Sequence, residues 1–255
     1  MADRIDVVAI PGLPEIVPGD DLPTRIADAL GATAGVLPLR DDDVLVVTQK
    51  IVSKAEGALV DLRTVEPRPE AVDYAARFDR DPRQVEVVLR EARRVVRMAN
   101  GVIITETSHG FVCANGGIDA SNVGPASGSI VTLLPVDPDA SADRIRAAIR
   151  DRLGHDLPVI VSDSFGRPWR YGIVDVAIGV SGLEPLDDLR GQPDADGRVM
   201  RSTVRAAADE IASAAELVLG KTAGRPLALV RGASFQRGEG RVRDALIPSE
   251  FDLFR

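Results

Sequence analysis

DDDVLVVTQKIVSK, residues 41–54, decides the fold. Val44-Leu45-Val46-Val47-Thr48 is a continuous apolar run, the pattern of a strand buried on both faces. Gln49-Lys50-Ile51-Val52-Ser53-Lys54 follows at once. Upstream, residues 5–10 (IDVVAI) read as a short strand running into the turn-forming Pro11-Gly12-Leu13-Pro14. Asp21, Leu22 and Pro23 open a helix, with Ile26 and Leu30 on its apolar side and Gly31 at its end. Downstream, residues 64–83 are proline-rich and charged without periodicity, as in a surface excursion. Val85, Val88, Leu89, Ala92, Val95 and Val96 predict a helix over 84–98. A strand, 102–105, comes next. Residues 108–128, rich in Gly, Asn and Ser, read as a long irregular loop holding one short strand, and such loops are usually functional.

A second strand–helix–strand unit covers 130–134, 140–153 and 158–162, with Asp139 or Ser141 as the helix cap. Asp163-Ser164-Phe165-Gly166-Arg167-Pro168-Trp169-Arg170 is expected to leave the strand, and Trp169 to pack as an anchor. Residues 203–219 give the clearest helix, with Val204, Ala208, Ile211, Ala215 and Val218 on one stripe and Gly220 as its stop. Leu227–Val230 is a last strand. There is no internal repeat and no linker, so one mixed α/β domain over 1–255, an α+β fold in class, is expected.

The 255 residues carry a net charge of −8 and 4% aromatics, which argues against a nucleic-acid partner. Cys113 is the only cysteine, so neither an intrachain disulfide nor a cysteine-rich metal site can form. With no signal-peptide pattern and no 18-residue apolar run, a soluble cytoplasmic protein without membrane contact is expected. Only Lys50, Lys54 and Lys221 are lysines, beside twenty-eight arginines. A lysine kept against that bias suits a place where a compact ammonium is needed, as at phosphates.

The common nucleotide and nucleophile signatures are missing. Gly220-Lys221-Thr222 looks like the end of a P-loop, but the first glycine would fall at Ala215, and the segment follows a helix instead of opening one. There is no G-x-G-x-x-G and no G-x-S-x-G. His109 and His155 are too far apart for an H-E-x-x-H zinc motif. What remains are loop carboxylates: Asp163 beside Ser164 after an apolar strand, and Asp119 within Asn115-Gly116-Gly117-Ile118-Asp119-Ala120-Ser121-Asn122. Two carboxylates with neighbouring hydroxyls suit Mg²⁺ or Mn²⁺ shared with substrate phosphates. Taken singly, Asp163 could instead cap a helix and Asp119 make an Asx turn. Arg167, Arg170, Lys50 and Lys54 would make such a site locally positive, as a phosphate site requires in an acidic chain.

Ile10-Pro11-Gly12-Leu13-Pro14-Glu15-Ile16, VLVVTQKIVSKAEG (44–57), GIDASNVG (117–124), LLPVDPDASADRIR (133–146) and SDSFGRPWR (162–170), in this order, resemble the coenzyme F420-0:L-glutamate ligases, the gamma-glutamyl ligase family. The resemblance runs from about residue 9 to Gly232. It implies the family's own fold, neither P-loop nor Rossmann, in an intertwined homodimer. It implies that GTP activates the terminal carboxylate of F420-0 as an acyl phosphate, which L-glutamate captures to give F420-1, GDP and phosphate. Longer gamma-linked tails, two Mg²⁺ or Mn²⁺ sites and help from K⁺ are implied too. Carried onto this chain, Leu13, Pro14, Glu15, Ile16, Gln49, Lys54 and Asn122 would contact GTP. Asp119 and Asp163 would hold one divalent ion and Ser164 a second, with Asp119, Asp163 and Lys54 the catalytic set.

Ser164 replaces the family's usual threonine and keeps the hydroxyl. Residues 171–175, YGIVD, lack the Asn and Gln-Thr of actinobacterial relatives, which bears on the acceptor pocket. A chain ending at Arg255 is expected to lack the C-terminal nitroreductase-like domain of the two-domain relatives. The alternatives are an amide ligase for another phosphorylated acceptor and a non-catalytic deazaflavin- or nucleotide-binding protein.

Overall fold

The computed structural model describes residues 4–120 and 128–253. β1 (Asp6–Ala9) and α1 (Leu22–Ala32) come first, and β2 (Asp43–Thr48) runs without a loop into α2 (Gln49–Ala55). Then follow β3 (Leu59–Asp61), α3 (Pro69–Phe78), α4 (Pro82–Glu91), β4 (Ala92–Ala99), β5 (Val102–Thr107), β6 (Val112–Ala114) and β7 (Ile130–Thr132). α5 (Pro138–Leu153) leads to β8 (Val159–Arg167) and β9 (Arg170–Ser181). A small ladder of β10 (Asp187–Asp188) and β11 (Val204–Arg205), then α6 (Ala207–Leu219) and β12 (Leu227–Arg231), complete these elements. Helices and mixed sheets together make the α+β class expected from sequence.

The main sheet has the order β1-β12-β2-β8-β9, antiparallel throughout except for the parallel pair β2–β8. β2 lies at its centre, and its apolar run is buried on both faces. Leu45 and Val47 pack with Leu22, Ile26 and Leu30 of α1 and Ile145 and Ile149 of α5. Val44 and Val46 face the other way, onto Ala208, Ile211, Ala215 and Leu219 of α6. Each such side chain contributes about 2 kcal/mol by leaving water, so this one strand secures two helical layers. At its start the buried Asp43 carboxylate receives two bonds from the Arg231 guanidinium, at 2.6 and 2.8 Å.

Several expectations are corrected. The excursion at 64–83 contains α3, whose Pro69 sits in the first helical turn and whose Ala71, Tyr74 and Ala75 are buried; proline there starts a helix. The helix expected over 84–98 stops at Glu91, and the chain turns into β4. Val95 and Met98 then pair with Thr105 and Ile103 of β5 across a tight turn whose Asn100 and Gly101 both have positive φ. Residues 163–167 continue β8 instead of leaving it, and Trp169, with φ of 58°, is the exposed turn residue of the β8–β9 hairpin rather than a packed anchor.

Asp137, not Asp139 or Ser141, caps α5 by accepting from Ala140 N. Gly31 lies inside α1, where a Cβ would come within 3.1 Å of Leu153 on α5, so it permits the close crossing of two helices. The helix expected from 203 begins at Ala207, because Val204 and Arg205 pair with β10. Among the described residues no helix is long and apolar enough to cross a membrane.

Candidate active site

The site forms where β2 ends and α2 begins. Thr48 is extended at the junction, so the first turn of α2 is held rigidly by the sheet. Lys50 and Lys54, four residues apart, share one face of that helix. Lys50 Nζ lies 2.6 Å from Asp119 Oδ2, and Lys54 Nζ lies 2.6 Å from Glu15 Oε1. Gln49 is buried, and the Ser53 hydroxyl sits 2.6 Å from both Gln49 Oε1 and the Leu133 carbonyl oxygen. That contact ties α2 to the chain just beyond β7. Asp119 is held there too, through backbone bonds in both directions with Thr132 at 2.8 and 3.1 Å.

In the loop before α1, Ile16 is buried, Leu13 packs against the core, and Pro14 and Glu15 are exposed. Gly12 adopts φ of 92° there, a conformation that suits glycine. A pocket of about 480 Å³ opens beside this loop, with Leu13, Pro14, Asp28 and Thr33 among its walls.

On β8, side chains alternate between faces. Ser162 and Ser164 both reach Asp175 of β9, at 3.1 and 2.6 Å. Asp163 projects from the opposite face, so the expected neighbours Asp163 and Ser164 do not converge. Lys221 donates to Ser164 Oγ and pairs with Asp175 at 3.0 Å and Glu216 at 2.8 Å. Burial pulls the Lys221 ammonium down, but its bonds to Glu216 and Asp175 outweigh this and raise it overall.

Burial lifts the Asp163 carboxyl to about 7, and the negative charges of Asp175 and Asp119 add to the rise. The Ser164 backbone N–H and Lys221 oppose it. Asp163 thus sits within the field of both ammonium–carboxylate clusters, and among the described residues it has no salt bridge of its own. Burial also pushes the Cys113 thiol to about 12, with Asp163 contributing, so this cysteine is no nucleophile.

Asp119, Asp163, Lys54, Gln49 and the 13–16 loop therefore all have places in or beside this region, while Asn122 lies outside the described residues. Arg167 and Arg170 do not flank Asp163. They sit exposed at the hairpin tip, where Arg167 donates to the Tyr171 carbonyl at 2.9 Å. The positive charge comes from lysines instead. Asp175, Glu216 and Lys221 were not among the expected site residues. For Lys221 the scarcity of lysine was the available signal, obscured by its failed match to a P-loop.

An α+β chain with lysine–carboxylate pairs and an aspartate whose carboxyl is raised well above its ordinary range presents a polar centre suited to anionic substrates. Residues 12–232 match the model of the F420-0:Gamma-glutamyl ligase family, and the chain belongs to that family. Among its relatives is the Coenzyme F420:L-glutamate ligase of Methanothermobacter thermautotrophicus, 43% identical over 98% of this chain and 99% of the relative. The proteins of the same name from Methanopyrus kandleri and Methanocaldococcus jannaschii are 45% and 43% identical, over 94% and 86% of both partners.

Proposed function

We propose that the protein is a cytoplasmic, GTP-dependent ligase that joins L-glutamate to coenzyme F420-0 through an acyl phosphate. The carboxylate of F420-0 attacks the γ-phosphorus of GTP. A carboxyl–phosphorus C–O–P linkage forms, the bond to the β-phosphate oxygen breaks, and GDP leaves. The glutamate amine then attacks the acyl carbon, loses a proton and expels phosphate, giving the amide of F420-1; repetition would lengthen the tail through gamma linkages. No side-chain nucleophile is needed.

The observation that carries this is the face of α2, where Lys50 and Lys54 line up beside Asp119 and Glu15. Lys54, Gln49 and the Leu13–Ile16 loop would take the nucleotide, with the adjoining pocket open to its base, and Asn122 would complete the contacts. Among the described residues no three His, Cys, Asp or Glu side chains enclose a metal ion. Asp119 and Asp163 are nonetheless a fitting donor set for Mg²⁺ or Mn²⁺, which usually keep one or two protein carboxylates and take the rest from phosphates and water. Desolvation raises Asp163 most, and the repulsion from Asp175 and Asp119 that adds to it is what such a cation would offset. When bound, it would neutralise charge developing on the transferred phosphoryl group.

A second ion at Ser164 would lie on the other face of β8, among Asp175 and Lys221. K⁺ assistance and a homodimer belong to the same proposal, the latter checked by light scattering. The test is mass spectrometry after incubation with F420-0, L-glutamate, GTP and Mn²⁺, with ATP in place of GTP as control. A glutamyl adduct seen only with GTP is the expected result. GTP turnover without an adduct would exclude F420-0 as acceptor. In the same assay Asp163→Asn should lower the rate at least about 100-fold, the size expected when a group stabilising transition-state charge is lost.

A further inference from the structure

All three lysines of the chain are docked on carboxylates around this site: Lys50 on Asp119, Lys54 on Glu15, and Lys221 on Asp175 and Glu216. The residue type matters. Arginine grips a carboxylate with a planar two-pronged fork, whereas an ammonium is a point charge on a flexible stem and exchanges partners more easily. Lys50 is the most informative of the three. Its partner is the carboxylate proposed for the divalent ion, and the two side chains are 19% and 39% exposed, so water screens the pair only in part. An ammonium 2.6 Å from Asp119 Oδ2 and a divalent ion bound to that oxygen would be two cations competing for one ligand.

We infer that Lys50 is the resident counter-ion of Asp119, a positioning residue that holds the carboxylate before loading and is displaced when the divalent ion arrives. This rests on Asp119 being a metal ligand of the proposed ligase. Because α2 is fixed by β2, the displaced ammonium can swing on its stem without the helix moving. Its new partner is then the phosphate chain lying along the same helix face as Lys54. The cost of breaking the Lys50–Asp119 pair weakens metal binding while no nucleotide is present, and a phosphate partner for the freed ammonium offsets that cost. Metal and nucleotide therefore bind cooperatively, and by linkage each strengthens the other by the same factor.

The test is Mn²⁺ titration followed by water-proton relaxation, first without nucleotide, on the full chain and on Lys50→Met, Lys50→Arg and Asp119→Asn. Removing the competitor should tighten Mn²⁺ about tenfold in Lys50→Met, within the usual range of coupling. The stronger fork should loosen it in Lys50→Arg, and Asp119→Asn should bind weakly or not at all. With GDP added, Mn²⁺ affinity should rise more in the wild type than in Lys50→Met. Unchanged or weaker Mn²⁺ binding by Lys50→Met, while Asp119→Asn is impaired, overturns the inference and leaves the metal assignment standing. An equal rise with GDP in both proteins also overturns it. An Asp119→Asn protein that binds Mn²⁺ like the wild type overturns both.

Discussion

The five-stranded sheet with its helices and the segment spanning 59–134 are stabilised in different ways. In the sheet, β2 is apolar on both faces and serves two cores at once. In the other segment, most of β4 is exposed, and the α3–α4 pair closes over a small cluster built around Tyr74, Val88 and Ile103. There a charge does part of the holding. Glu86, almost fully buried, accepts from Arg68 and Arg90 at 2.6 to 3.0 Å, and the bonds from Arg68 bring its carboxyl down to about 2. The site draws on both regions, Asp163 from the sheet and Asp119 from the segment. Asp163 lies on the apolar strand β8, whereas Asp119 is held by backbone bonds to Thr132 beside a small apolar cluster of Leu62, Val65, Val87 and Val131.

The strongest way to break this contrast is paired truncation. Leu45→Ala should cost about 4 kcal/mol and Ile103→Ala about 2, the upper and lower parts of the range for such changes. Denaturant unfolding measures both, and an equal or larger cost at Ile103 would remove the distinction. Next, Glu86→Gln should cost about 2 kcal/mol near neutrality, as expected for bonds to a charged group. Because folding depresses this carboxyl from 4.5, its contribution is present above pH 4.5 and is lost as pH falls towards 2. The gap between wild type and Glu86→Gln should therefore shrink from pH 6 to pH 3, and a constant gap would show that ionisation is not what anchors α4. The smallest effect is at the β4–β5 turn. Gly101→Ala, at φ of 75°, should cost about 1 kcal/mol in a thermal melt.

The same contrast governs how much of the molecule could be read in advance. β2, β12, α1, α5 and α6 are legible because long apolar stripes or runs announce them. The segment between is not, since its signals are local and work against periodicity. Pro69 looks like a breaker but begins a helix. Val95, Val96 and Met98 happen to continue the stripe of α4, while Asn100-Gly101, a strong hairpin signal, folds them back onto β5. At the site, Asp119, Asp163 and the lysines of α2 were visible as residue types in apt places. The alternation of Ser162 and Ser164 against Asp163 and Phe165 went unused, and with it the fact that Asp163 and Ser164 face opposite ways. Asp175, brought to Ser164 by strand register, has no sequence signal of its own.

The register of the central strand has a consequence during synthesis. Leu45 is flanked by Val159 on one side and Leu229 on the other. A chain leaving the ribosome from its N-terminus therefore exposes VLVV long before either neighbour exists. Local helices can form early, but this stretch stays an open strand edge with two apolar faces until β8 and then β12 emerge. Pairings of such high sequence separation fold slowly and leave sticky intermediates. The strand that secures both cores in the finished enzyme is thus its most aggregation-prone stretch while the chain is incomplete, and the one for which a chaperone would matter most.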